Sequence, residues 1–207
     1  MKKKYISNSS GSSMMFKSNF LEAMSKVNFY IPLLIYLPVI FYFSFKAFDQ
    51  GLEPETYILY LLFGISIWSV TEYLLHRFVF HFEQTSKSGK RLHFIFHGVH
   101  HDFPGDRKRL VMPPTASIPL SIFFYFLFSL FFENSLKLYS FYSGFIMGYL
   151  FYDMMHYAIH HYNFKNSLFK KIKQHHMLHH YSDPTKGYGV SPALWDIIFQ
   201  SGFRAKN

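Results

Sequence analysis

The residues best suited to chemistry in this chain are its 13 histidines, which all fall between positions 76 and 180. Ten of them form four sets with short internal spacings: His76 and His81; His97, His100 and His101; His156 and His160; His176, His179 and His180. Two of the sets repeat one pattern, H-x-x-H-H. A neutral imidazole offers one lone pair to a metal ion, and residues three or four apart share a helix face. The pattern therefore predicts metal binding.

The geometry of H-x-x-H-H favours two metal ions over one. With 3.6 residues per turn, the first and second histidines differ by about −60° around the helix axis and the first and third by about +40°. A fan of about 100° is wide for one ion and natural for two neighbours. His156 and His160 form a pair on another helix. His76 and His81 are five apart, so they converge only if the helix ends or distorts between them.

A single histidine near a membrane surface is usually only a polar anchor, so each must be weighed against that alternative. Taken together, the ten histidines favour metal binding over polar anchoring, because burying ten neutral imidazoles without a cation would leave many polar groups unpaired. His93, His161 and His175 stand beside the regular spacings. We predict that these three support the ligands without binding the metal themselves.

The composition limits which metal chemistry is plausible. The chain contains no cysteine, which excludes a thiolate site, and imidazole ligands suit iron, zinc, copper or nickel. A zinc hydrolase uses few ligands and an open water position, so ten histidines are too many for one such ion. Two irons would hold the electrons needed to activate dioxygen and attack an unactivated C–H bond.

The elements that must position these histidines are long apolar blocks. Half of the 207 residues are hydrophobic, and four blocks approach the roughly 20 residues that cross a bilayer. We predict spans at about 27–47, 56–75, 112–132 and 138–155. The predicted fold is all-α and integral to the membrane, with four transmembrane helices and a cytosolic helical cap that holds the metals.

The charges agree with this topology. All but two of the 21 lysines and arginines lie in the N-terminal tail, in residues 76–111 or in the C-terminal segment. Because positive residues stay on the cytoplasmic side, both termini and the histidines are predicted to be cytosolic, at a bacterial inner membrane or the endoplasmic reticulum. The net charge of +9 is then explained by orientation and anionic headgroups, and no nucleic-acid partner is expected. Residues 1–26 are predicted to be a cytosolic tail, with 5–18 loose or amphipathic.

Several stretches between residues 68 and 200 resemble the fatty acid hydroxylase / sterol desaturase superfamily, and most closely the fatty acid 2-hydroxylases of sphingolipid acyl chains. The histidine core carries the superfamily resemblance, while RLVMPP (109–114) and GYGV (187–190) favour the 2-hydroxylase branch. The resemblance implies a hydroxylase domain over 27–207. It also implies one metal on His76, His81, His100, His176 and His179 and the other on His97, His101, His156, His160 and His180. Glu72, Asp102, Asp153 and Tyr181 match positions of supporting groups.

The resemblance further implies iron as the active metal, with zinc expected in structures, and dioxygen as co-substrate. Only about 26 residues precede the first span, without a haem-binding histidine pair. We therefore expect no cytochrome b5-like haem domain, and expect electrons from a separate cytochrome b5, ferredoxin or reductase. The predicted reaction is 2-hydroxylation of a fatty acyl chain.

Two alternative functions compete with this prediction. The same chemistry on a sterol or carotenoid, or desaturation in place of hydroxylation, stays open within the superfamily. A membrane metal transporter is disfavoured, because transport sites lie near the bilayer midplane whereas these histidines follow the ends of the spans.

Overall fold

The computed structural model describes residues 5–82 and 84–203, and the basic start at residues 1–4 and the end at 204–207 lie outside the described part. Within that part the chain is helical and contains no strand. The α-helices are α1 (Asn19–Met24), α2 (Ile31–Asp49), α3 (Pro54–Leu74), α4 (Lys87–His93), α5 (Val99–Asp102), α6 (Pro114–Ser129), α7 (Ser135–His161), α8 (Ser167–Tyr181) and α9 (Leu194–Ile198).

Two π-helical turns interrupt the regular helices. The first π-turn, Leu75–Phe80, continues α3, and the second, Phe94–Gly98, joins α4 to α5. Such turns are rare and occur mainly at functional sites. Both of these turns carry predicted ligands, His76 in the first and His97 in the second.

Two helical stretches, Ile31–Asp49 and Pro54–Phe80, are long and apolar enough to cross a membrane, and Pro114–Ser129 is apolar but shorter. Large apolar side chains such as Phe41, Leu59 and Phe126 are exposed on all three. The helix ends lie within a few residues of the predicted spans, except that α7 continues from the fourth predicted span to His161. It thereby brings two of the predicted ligands, His156 and His160, to the end of the bundle where the other predicted ligands lie.

The core of the bundle surrounds α7, most of whose residues are buried. Aromatic side chains from α2 and α3 pack on it: Tyr36 meets Tyr149, and Trp68 lies against Phe145 and Tyr149. Ring centroids about 5 Å apart in edge-to-face contact are a favoured arrangement for aromatic pairs. The wide, rigid rings fix the rotation of α7 and so the direction in which its histidines point.

Small residues let α3 and α7 approach closely. A Cβ on Gly144 would lie 1.9 Å from the carbonyl oxygen of Leu61, and one on Gly64 would lie 2.0 Å from that of Phe141. Each glycine thus faces the backbone of the other helix, as is common between membrane helices. The contact sets the register between the element carrying His76 and the one carrying His156.

We expect Gly144→Ala to destabilise the bundle by about 1–3 kcal/mol, the range for inserting a methyl group into a packed core. The backbone opposite cannot yield as a side chain would. Thermal unfolding of the purified protein in detergent measures the effect. Gly11→Ala is the matched control, because nothing lies within 4 Å of its Cβ position. Equal midpoints for the two variants would contradict the close contact.

The N-terminal segment, predicted over residues 5–18 to be either loose or amphipathic, packs on the histidine-bearing part of the chain. The amides of Ile6 and Ser7 donate to the carbonyl oxygen of Asp102 at 2.9 and 3.1 Å, and the Ser12 hydroxyl donates to Asp106 at 2.6 Å. These contacts give the backbone partners that water would otherwise supply. The segment therefore forms part of the cap.

A buried ion pair fixes α1 to the loop before α6. Glu22 accepts a hydrogen bond from Arg109 at 2.5 Å, and both side chains are almost fully buried. Burial raises the pKa of Glu22. The hydrogen bonds from Lys26 and from the amides of Met15 and Phe16, together with the charge of Arg109, outweigh burial and hold the pKa below its ordinary value. The carboxylate is therefore ionised at neutral pH.

Candidate metal centre

The ten predicted ligands come together in two clusters of five. In each, one ring nitrogen from every histidine lies within 4.8 Å of all the others. The first cluster contains His76, His81, His97, His101 and His179. The second contains His100, His156, His160, His176 and His180. They adjoin one another, and the rings of His101 and His180 stack across the boundary with centroids 4.2 Å apart.

This grouping corrects the one implied by the resemblance. The resemblance implied that His97 and His101 share a metal with His156, but they lie in the first cluster. It implied that His100 and His176 share a metal with His76, but they lie in the second cluster. The angular fan of the motif explains why His176 joins His180 instead of His179, and the packing of α5 against the rest of the cap decides which cluster receives His97 and His101 and which receives His100. The outer histidines, four apart, differ by only about 40° and share a cluster, whereas the middle one points about 60° the other way.

The two motifs are used reciprocally. The motif around α5 gives its outer pair to the first cluster and His100 to the second. The motif on α8 gives its outer pair to the second cluster and His179 to the first. Each cluster also contains two histidines from the end of a long helix. The first cluster receives His76 and His81 from the end of α3 and its π-turn, and the second receives His156 and His160 from the end of α7.

The first π-turn explains how His76 and His81 converge. The amide of His81 donates to the carbonyl oxygen of His76 at 3.1 Å, the i→i+5 bond of a π-helix. On a regular α-helix these residues would point about 140° apart. The sequence-based condition that the helix must distort here is met, and the ring centroids lie 5.0 Å apart.

The distances between ring nitrogens in the second cluster match the edges of a coordination shell. The Nε2 atom of His176 lies 3.1 Å from that of His156, 3.0 Å from that of His160 and 3.0 Å from that of His180. For a metal–nitrogen bond of about 2.1 Å, ligands at right angles stand about 3.0 Å apart. Equivalent contacts in the first cluster are 3.1–3.2 Å.

Hydrogen bonding between the rings cannot account for these contacts. A neutral imidazole has one N–H donor, so the Nε2 atom of His176 donates to at most one of its three neighbours. His100 has neither ring nitrogen hydrogen-bonded within the described residues, although both are buried. Converging lone pairs without hydrogens are stabilised by a cation at their centre. Both clusters therefore fit metal ions, and the donor atoms do not select which metal.

Burial keeps the cap histidines in the form that binds metals. It lowers the pKa of His97, His100, His101, His176 and His180 well below the ordinary value. Neighbouring imidazoles lower these pKa values further, because one protonated ring disfavours the next. For His179, burial lowers the pKa to about 3. Metal ligands must be deprotonated, so these rings are ready to bind at neutral pH.

Backbone carbonyl groups orient several ligands from behind. The Nδ1 atoms of His76 and His179 donate to the carbonyl oxygens of Tyr188 and Lys186, at 2.5 and 2.7 Å. With Nδ1 protonated, Nε2 carries the lone pair that faces the cluster. In the second cluster, the rings of His156 and His160 hydrogen-bond to the backbone of Leu110 and Pro104. Such outer contacts fix both tautomer and ring direction.

Two buried carboxylates hold the loop at residues 186–191 that supplies those carbonyls. Asp196 accepts from the amides of Tyr188 and Gly189, at 3.0 and 2.8 Å, and from Ser201 at 2.7 Å. Glu72 on α3 accepts from the amides of residues 190 and 191, both at 2.8 Å. Burial raises the pKa of Asp196, but hydrogen bonds from His175, Ser201 and the two amides lower it to about 2.

The residues predicted to support the ligands make different kinds of contact in the structure. The Nε2 atom of His175 hydrogen-bonds to Asp196 at 2.9 Å, which places His175 behind the loop that orients His76 and His179. Asp153 accepts from the Met112 amide and the Tyr149 hydroxyl, so it joins α7 to the loop before α6 instead of contacting a ligand. Tyr181 is partly exposed and donates to Asn8 at 3.1 Å.

Three further predicted residues lie at the margin. His93 faces His81 with ring centroids 6.1 Å apart, His161 lies against the ring of Tyr157, and Asp102 supplies its carbonyl oxygen to the N-terminal segment. Sequence reasoning missed Asp196. Its position shortly after a glycine-containing loop was a weak signal, since a buried carboxylate is the usual acceptor for consecutive loop amides.

Comparison with known proteins supports this description. Residues 61–201 match a protein-family profile described as fatty acid hydroxylase. The chain is 35% identical over 193 residues to the ceramide very long chain fatty acid hydroxylase scs7 of Schizosaccharomyces pombe, covering 92% of this chain and 55% of that protein. It is 35% identical over 184 residues to the dihydroceramide fatty acyl 2-hydroxylase FAH2 of Arabidopsis thaliana, covering 89% of this chain and 77% of that protein.

A solved structure has the same fold. It is of full-length scs7p, with only the hydroxylase domain visible, and it superposes with a TM-score of 0.85 at 33% identity. The superposition covers 90% of this chain and 70% of that one. Because the chain spans only about half the length of several curated relatives, the match concerns their hydroxylase parts.

Proposed function

Because the chain belongs to the fatty acid hydroxylase family, we propose that it is a membrane-embedded dimetal monooxygenase that 2-hydroxylates a fatty acyl chain. Named relatives are fatty acid and dihydroceramide fatty acyl 2-hydroxylases. The observation that carries the proposal is the pair of five-histidine clusters in contact. The substrate is proposed to be a lipid acyl chain, and the electrons to come from a separate protein.

The membrane placement belongs to the same proposal. We propose that α2, α3, α6 and α7 cross the bilayer and that the histidine clusters lie at its cytosolic face. The exposed apolar side chains of α2, α3 and α6 support this, because contiguous exposed apolar surface marks a membrane or partner contact. The hydroxylase domain is then residues 27–207, with the N-terminal segment packed on its cytosolic side.

The chain's own residues would hold the metal ions, exclude bulk water from them and orient the imidazole rings. Two iron ions, when bound by the ten histidines, would supply the redox chemistry with dioxygen, and zinc would fit the same ligands. Overall, an acyl CH₂ group, dioxygen, two electrons and two protons would give an acyl CHOH group and water. The buried imidazoles hold the ions away from bulk water, and the carbonyls of Lys186 and Tyr188 hold two rings in the binding tautomer.

A small apolar cavity of about 20 Å³, room for about one water molecule, lies between α3, α6 and α7. Its lining includes Trp68, Met112, Leu120, Phe124 and Phe145, with almost no polar surface. Met112 lies in the loop before α6, two residues after Leu110. The backbone of Leu110 hydrogen-bonds to the ring of His156. The same loop thus borders both the apolar cavity and the second cluster.

The test is expression in a host that makes no 2-hydroxy lipids, followed by lipid mass spectrometry. We expect acyl chains that have gained one oxygen atom, derived from isotopically labelled dioxygen, at the carbon next to the carbonyl. A variant with His100→Ala and His179→Ala, which removes one ligand from each cluster, should give no product. Loss of two hydrogens would indicate desaturation, and an unchanged lipid profile with intact, metal-loaded protein would contradict the proposal.

A further inference from the structure

A polar cavity of about 320 Å³ opens next to the second cluster. It is formed by segments distant in the sequence: the N-terminal segment with Asn8, the loop before α6 with Arg107, the end of α7 with His160 and His161, and α8 with Tyr181. His160 belongs to the second cluster, so the cavity reaches a metal ligand. It is large enough for a small polar group and lies where one would approach the reacting centre.

The lining of this cavity is cationic and hydrogen-bonding. It includes Arg107 and no acidic residue. Arg107 and Lys173 both interact electrostatically with His161, and Lys173 also with His160. The nearby carboxylate of Asp106 already accepts from Ser12 and lies 3.5 Å from Arg109. The positive charge facing the cavity is therefore not balanced by a lining carboxylate.

Unused hydrogen-bonding capacity accompanies the charge. The Nε2 atom of His161 is buried without a hydrogen-bond partner within the described residues. A buried polar atom of this kind costs free energy unless a ligand or water satisfies it. Asn8 and Ser10 add side-chain donors at the same cavity, whereas the hydroxyl hydrogen of Tyr181 is already donated to Asn8. Guanidinium groups and such donors together are the usual recognition set for carboxylate and phosphate oxygens.

We propose that this cavity binds an oxyanion at the polar end of the acyl substrate, with Arg107 as the principal cation. The inference rests on the proposed function and identifies where the substrate's head is held. In 2-hydroxylation the reacting carbon is bonded to the carbonyl carbon, so the head must lie within a few ångströms of the metals. A cavity lined by the ligand His160 meets that requirement. The oxyanion is the carboxylate of a free acid or the phosphate of a phosphorylated lipid.

Binding is tested without turnover. A short-chain fatty acid and its neutral methyl ester are titrated calorimetrically into the purified, metal-loaded protein in detergent. We expect Arg107→Gln to weaken acid binding about tenfold, as for loss of one charge-assisted hydrogen bond at a partly exposed site, and to leave ester binding unchanged. Arg107→Lys should retain most of the affinity. Lys108→Gln, an exposed neighbouring cation outside the cavity lining, is the matched control and should change neither.

Turnover then identifies the source of the oxyanion. With a free fatty acid, a phosphorylated acyl lipid and a neutral ceramide-like lipid, Arg107→Gln should raise KM about tenfold for whichever anionic lipid is the substrate. The KM values for the neutral lipid and for the reductant should not change. Equal losses for acid and ester, or a raised KM for the reductant alone, would overturn the inference. If Arg107→Gln weakens acid binding while no acyl lipid is hydroxylated, the site stands and the proposed reaction fails.

Discussion

Replacing His97 and His101 together with alanine is expected to remove one bound metal ion and to leave the other. Both residues belong to the first cluster, so the second keeps all five imidazoles. Replacing His97 and His100 instead, although they lie closer in the sequence, takes one ligand from each cluster and weakens both sites. Each double variant should lower hydroxylation by at least about 100-fold, because even outer-shell changes at metal sites cost 10–100-fold.

The measurement is metal content per protein by mass spectrometry after dialysis against a weak chelator. The first double variant should retain close to one ion per chain, and the second distinctly less. His93→Ala is the control, since His93 lies outside both clusters and should leave two ions bound. Loss of metal from both sites in the His97 and His101 variant, with one ion kept in the other, would contradict the assignment of His97 and His101 to one shared cluster.

Asp196→Asn is expected to loosen the first cluster through the loop that orients it. The carboxylate accepts from two amides, a hydroxyl and a histidine, and an asparagine amide cannot accept from all four. Each buried donor left unpaired costs about 1–3 kcal/mol. The loop carbonyls then no longer fix His76 and His179, so metal affinity at the first cluster should fall about 10–100-fold.

Chelator titration distinguishes this effect from general unfolding. One ion should become easier to remove, and the other should keep its wild-type affinity, because its outer contacts come from residues 104 and 110. Asp183→Asn, which changes a half-buried carboxylate in the turn after α8, is the control and should change neither. Equal weakening of both ions would indicate that Asp196 acts on the fold as a whole.

The pH dependence of the Asp196 contribution follows from its depressed pKa. The stabilisation is fully present above the unfolded pKa of about 3.9 and is lost as the pH falls towards the folded pKa of about 2. The difference in unfolding free energy between wild type and Asp196→Asn should therefore be constant across neutral pH. It should shrink only under strongly acidic conditions.

Spacing along the chain predicted which histidines come together but not how they are shared between the two clusters. The ten positions follow from helical periodicity, and the need for a distortion between His76 and His81 follows from their separation of five. The division into clusters depends on how α5 and α8 are rotated relative to one another, and that is decided by tertiary packing. The angular fan, applied to both motifs at once, would have favoured the observed grouping, because residues four apart diverge least.

The residues that support the site carried weaker signals. Glu72 and Asp196 act on the same loop from positions more than a hundred residues apart, and Glu22 meets Arg109 across 87 residues. No local periodicity encodes such pairings. A charged residue inside an apolar block, such as Glu72, indicates that a partner must exist without identifying it. The docking of the N-terminal segment was missed for the same reason, since its polar residues have no helical or strand pattern.

The reciprocal use of the two motifs has a consequence for how this chain folds. A chain without cysteine has no disulfide cross-links, yet each metal would join elements far apart in sequence, such as His76 with His179 and His100 with His180. Two ions cross-linking the same elements would leave the cap little freedom to hinge. Metal loading and cap folding are then thermodynamically linked. The helical bundle, built on glycine contacts and aromatic packing, would form the template on which that folding occurs.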